Sequence, residues 1–241
     1  MTKKRIATMA TCIALVGAVA VGGTLALLSQ QSNDVTNTFT VGSGYHTDHQ
    51  DLILDEAKVA QVTSGANLGG YEETAAPRVY TNAYTNLVEN AFLDKDPQFH
   101  IADDCKVATS WVVAKISGFN SESGKTTLKF TDVDDETEAT PENKLVKGTW
   151  YKVTKSGTGY TYAPVSLENI GNGIYIYDQG LSAGQRTDDL FQELQVDTFV
   201  GGQAPTTITV SGYAVEGVAG VTFDNMKNDV MKTVDTWAFG A

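Results

Sequence analysis

The ten residues from Val107 to Ile116, VATSWVVAKI, are apolar on both faces of an extended chain. Val107, Trp111 and Val113 share one face; Ala108, Val112, Ala114 and Ile116 share the other. A strand with one face in water alternates apolar and polar residues. A strand with two apolar faces has to be covered on both sides. The segment is therefore predicted to be a central strand.

Around it the chain falls into short stretches rich in β-branched and aromatic residues, separated by Gly, Asn, Asp and Ser. These are 51–59, 126–130, 149–154, 159–165, 173–179, 190–196 and 206–215, with 106–116 as the central one. An earlier stretch, VTNTFTVG, places Val35, Asn37, Phe39 and Val41 on one face and Thr36, Thr38 and Thr40 on the other. Many short strands with little helix between them predict an all-β fold, one antiparallel β-sandwich. Pro164 falls at the end of its strand, where the missing N–H is tolerated. No fixed-period repeat divides the chain, so residues 27–241 are expected to form a single domain.

Three regions break the strand pattern. Residues 117–148 are polar, with DVDDETEATPE in the middle, and are expected to be a hairpin or loop insertion. Residues 62–84 are dominated by Gly, Ala, Thr, Asn and Tyr and suggest a long irregular connection. Near the end, FDNMKNDVMKTVDTW sets Met226, Val230, Val234 and Trp237 at helical spacing, with Met231 beside them. This predicts a short amphipathic helix, capped by Asp224 or Asn225 and lying across an open end or edge of the sandwich.

The first 26 residues read as a secretory signal peptide. Lys3, Lys4 and Arg5 precede an apolar run, Gly22 and Gly23 break it, and Thr24-Leu25-Ala26 supplies small residues before a cut between Ala26 and Leu27. The alternative is a retained membrane helix over Ile6–Leu28; Cys12 in MAT-Cys makes a poor lipoprotein site. The chain has 17 Lys and Arg against 29 Asp and Glu, a net charge of −12. Cleavage removes three cations and no acid, so the mature chain is more acidic still. Such a surface disfavours nucleic acid and anionic membranes as partners. Of the two cysteines, Cys12 leaves with the leader and Cys105 remains, so no disulfide forms within the mature chain. Cys105 is expected to be a small buried residue, the other reading being an intermolecular cross-link.

Catalytic motifs are missing from the sequence. There is no H-E-x-x-H, no G-x-S-x-G and no phosphate-cradling glycine loop before a helix. The three histidines are His46, His49 and His100. His46-x-x-His49 with Asp48 and Asp51 offers at most weak metal binding in a solvated loop, and DVDDETE (132–138) lacks the ligand spacing of a calcium loop. Trp150–Tyr151 and Tyr175–Tyr177 could form a sugar platform but fit cross-strand packing better. The expectation is no enzyme, no cofactor and no metal ligand.

Several stretches together resemble the TasA/camelysin-like family of secreted proteins from Gram-positive bacteria, processed by the signal peptidase SipW. They are GGTLALLS followed by VTNTFTVG, DKDPQFHIADDCKVATSWVVAKI (94–116), GIYIYDQGLSAGQRTDDLFQELQV (173–196), ITVSGYAVEGV (208–218) and the terminal helix with Trp237. Leu28-Ser29-Gln30 replaces the family's Phe-Thr-Asp-like turn, and YAVEG replaces its usual YAIQA. The resemblance implies a jelly-roll sandwich and a subunit of biofilm matrix fibres, joined by donor-strand exchange of residues 27–42. Leu27, Leu28, Val35, Phe39 and Val41 would be the donor residues. The implied partners are other copies of the chain, a SipW-like peptidase and other matrix components. The family also includes proteins classed as metallopeptidases, and a non-polymerising cell-surface role is the third reading.

Overall fold

The computed structural model describes residues 29–31, 45–134, 138–201 and 207–240. It is an all-β sandwich with one C-terminal helix. The strands in chain order are β1 (Ser29–Gln31), β2 (Leu52–Asp55), β3 (Val59–Gln61), β4 (Tyr71–Glu73), β5 (Phe92–Asp94), β6 (Gln98–Ile101) and β7 (Ser110–Ser117). They continue with β8 (Thr127–Asp132), β9 (Trp150–Ser156), β10 (Gly159–Pro164), β11 (Gly173–Tyr177), β12 (Glu193–Thr198) and β13 (Thr209–Glu216). The helix α1 spans Phe223–Phe239. One sheet has the order β1-β13-β7-β11-β9-β10, the other β3-β4-β5-β12-β8, and β2 pairs with β6 separately. Among the described strands all pairings are antiparallel except β4 with β5, which meet in parallel at Tyr71 and Leu93.

β7 is central, as its two apolar faces demand. It lies between β13 and β11. Val112, Ala114 and Ile116 face the interior between the sheets, with Tyr175 and Tyr177 from β11 and Leu194 and Val196 from β12. Trp111 and Val113 belong to a second core, with Val153, Ile174, Ile176 and Val215, under Met226, Val230, Met231 and Val234 of α1. The helix therefore covers the outer face of the six-stranded sheet and not an end or edge of the sandwich. Its N-cap is Thr222, with no side-chain hydrogen bond, so Asp224 and Asn225 are not caps. Asp224 in the first turn still suits the positive end of the helix dipole. At the other end Gly240, in the left-handed region, donates its N–H to the Thr236 carbonyl at 3.0 Å.

Each strand expected downstream of Ile116 is present, within a few residues. The 51–59 stretch divides into β2 and β3. β8 does not turn back on a neighbour within the 117–148 insertion; it pairs with β12 and forms one border of the five-stranded sheet. The 62–84 connection is irregular apart from β4. It is held by an ion network: Arg78 bridges Asp55 and Asp96, Lys95 pairs with Glu56, and the Asn82 side chain donates to the Ala57 carbonyl at 2.7 Å. Val35, Phe39 and Val41, with the rest of VTNTFTVG, lie outside the described residues, as do Ala26, Leu27 and Leu28.

Candidate functional site

The N-terminal segment and β13 meet at one border of the six-stranded sheet. β13 runs beside β7 over all eight of its residues, from Thr209 opposite Ser117 to Glu216 opposite Ser110. Its other side receives the N-terminal segment β1: Ser29 lies opposite Val215, Gln30 opposite Ala214 and Gln31 opposite Tyr213. Ser29–Gln31 thus supply a strand to the chain's own sheet. Tyr45, the next described residue, is buried and donates its hydroxyl to Ser110 Oγ at 3.0 Å. Ser110 is the residue opposite Glu216, so Tyr45 and β1 lie at the same end of β13.

The remaining borders of the two large sheets carry devices that discourage strand addition. β8 exposes Lys129 at its middle, β10 ends in Pro164, and β3 is only three residues long. β13 has neither Lys nor Pro in TVSGYAVE. On the side away from β7 it is covered, among the described residues, by the three residues of β1.

Trp150, Tyr175 and Tyr177 are interior, as packing predicts, while Tyr151 is half-buried against Phe223 of α1, ring centres 5.2 Å apart. Tyr175 and Tyr177 are buried, the Trp150 and Tyr177 ring centres lie 5.0 Å apart, and Trp150 Nε1 donates to the Asp188 carbonyl at 3.0 Å. They offer no sugar platform. Cys105 is a buried free thiol, its pKa pushed up to about 11 chiefly by burial, which suits packing and not cross-linking.

The three histidines separate into two places. His100 lies on β6, 3.7 Å from Asp55, its pKa lowered by burial. His46 and His49 stack with ring centres 4.2 Å apart and gather around Asp51. Asp104, which the sequence reading did not connect with them, joins the group from the turn that precedes β7. Burial alone would lower the His49 pKa, but Asp104, Asp48 and Asp51 together raise it. Comparison with protein-family models, with curated proteins and with solved structures finds no significant match.

Proposed function

We propose that this chain is a secreted structural subunit, released by a SipW-like signal peptidase, which polymerises when its N-terminal arm is exchanged onto the β13 border of a neighbouring copy. The observation that carries this reading is β1 itself. A three-residue N-terminal strand sits on a border that lacks edge-blocking residues. Main-chain pairing of this kind is indifferent to which copy supplies the strand. An arm that pairs within its own chain can pair with the next one at little net cost, the logic of domain swapping. From Gln31 to Tyr45 the chain can span roughly 46 Å if extended, enough to reach an adjacent subunit. One-way exchange is head-to-tail, so it need not close and can propagate as a fibre. The resemblance to TasA/camelysin-like matrix proteins supports the same reading, and the acidic net charge explains how subunits stay apart until salt screens them.

The test is a mature chain truncated to begin at Val35, alongside Leu28→Asp. Both are expected to keep the parent's circular dichroism and to stay monomeric in sedimentation where the parent forms filaments. The truncated chain, still an acceptor, should also shorten the parent's filaments when mixed with it. Polymerisation of both variants at the parent's rate would place the fibre contact elsewhere.

A further inference from the structure

We propose that His46, His49, Asp51 and Asp104 form a structural binding site for one divalent transition-metal ion, with zinc the ion that best suits the donors. One ligand atom from each of the four lies within 4.8 Å of the others. His46 Nδ1 is 2.8 Å from Asp51 Oδ1, His49 Nε2 is 3.6 Å from the same oxygen, and His49 Nε2 is 3.4 Å from Asp104 Oδ2. In a tetrahedral zinc site with bonds of about 2.0–2.2 Å, neighbouring ligand atoms are roughly 3.3–3.6 Å apart. The two His49 separations match that spacing, and the remaining ligand atoms need shifts of about 1 Å to complete the shell.

A second set of contacts points the same way. Metal-bound imidazoles present one ring nitrogen to the ion and the other to a carboxylate or carbonyl, which fixes the tautomer. His49 has this arrangement: Nδ1 faces Asp48 Oδ1 at 3.1 Å, leaving Nε2 aimed at Asp51 and Asp104. Asp51 is held likewise. Its Oδ2 accepts the His46 backbone N–H at 2.5 Å, which turns Oδ1 toward the two rings. Asp48, part of the sequence motif, is thus a positioning residue and not a ligand.

The backbone supports the site from both sides. The Ala102 N–H donates to the Asp51 carbonyl at 2.8 Å, and Cys105 N–H closes a turn onto the Ala102 carbonyl at 3.1 Å, which carries Asp104 toward the histidines. Asp51 is buried, and two carboxylates with two neutral imidazoles exactly balance a doubly charged ion. Two nitrogen donors argue against calcium and magnesium, which take oxygen ligands. Four protein ligands fill a tetrahedral shell and leave no open position for substrate, the pattern of a structural site. The ion would tie residues 46–51 to the turn before β7.

Zinc chloride titrated into chelator-treated mature protein, followed by calorimetry and by thermal melting, tests the site. One zinc per chain is expected, with a melting midpoint several degrees higher. His49→Ala and Asp104→Ala remove exposed side chains, so both should fold and melt as the metal-free parent does, yet lose the zinc-dependent rise. Asp48→Asn should weaken binding by about 10- to 100-fold while keeping the stoichiometry. Absence of saturable zinc binding, a response to calcium in place of zinc, or zinc binding unchanged in His49→Ala and Asp104→Ala would each overturn the assignment.

Discussion

Arg78→Ala is expected to destabilise the fold by about 3–5 kcal/mol, the range for removing one partner from a buried ion pair. Arg78 Nε donates to Asp55 Oδ1 at 2.6 Å, and Nη2 to the Asp96 carbonyl at 2.8 Å. Nη1 reaches Asp96 Oδ2. The side chains of Asp55 and Asp96 are only 12% and 8% exposed. Asp96 also accepts the Ala57 N–H at 2.6 Å, so it cannot swing out to water without breaking a second bond. Alanine would leave two nearly buried carboxylates facing each other and release the bridge between Glu56 and Val79 that ties the irregular connection down. Arg78→Lys should recover only part of the loss, because one ammonium cannot replace a planar fork that reaches both Asp55 on β2 and Asp96 in the connection before β6. Lys129→Ala is the comparison: its partner Asp197 is 3.9 Å away and both are about half exposed, so the cost should stay below about 1 kcal/mol. Urea unfolding of the three variants measures this. A loss under about 1 kcal/mol for Arg78→Ala would mean that the network is not what anchors residues 62–84.

The two-sided apolar pattern of β7 and the helical spacing from Met226 to Trp237 were both legible in the sequence, and each is the other's explanation. The central strand needs cover on its second face, and α1 is that cover. The sequence reading set the helix at an end of the sandwich because periodicity shows which face of a helix is apolar and not which surface it meets. The long strands were legible because alternation or β-branched runs persist over five to eight residues. β4, β5 and β6 were not, since three or four residues of YEE, FLD and QFHI carry no readable period. That gap also hid Asp104. β2 and β6 pair with Leu52 opposite Ile101, which brings the residues after Ile101 beside Asp51. Without β6, nothing in the sequence links His46-x-x-His49 to an aspartate more than fifty positions downstream. Arg78 was illegible for the same reason: its partners Asp55 and Asp96 come from two separate strand regions.

Val230→Asp is expected to abolish stable folding, at a cost above about 4 kcal/mol, because it places a carboxylate where neither water nor a cation partner compensates it. Val230 is 0% exposed, between α1 and a surface made by Trp111, Val113, Val153, Ile174, Ile176 and Val215. The effect should not remain confined to the helix. Trp111 and Val113 alternate along β7 with Val112 and Ala114, whose side chains belong to the interior between the sheets. Releasing α1 would expose one face of the strand that organises the other core, so both cores are expected to fail together. Near-UV circular dichroism, which senses Trp150 and Tyr177 in the inner core as well as Trp111 under the helix, should lose its signal in one transition. Asn225→Asp is the control, an exposed first-turn position where an added negative charge meets the favourable end of the helix dipole and should shift stability by no more than about 1 kcal/mol. If Val230→Asp instead melts only the helix and leaves the near-UV signal of the inner core intact, the two cores are independent, and α1 is an appendage to a sandwich that stands without it.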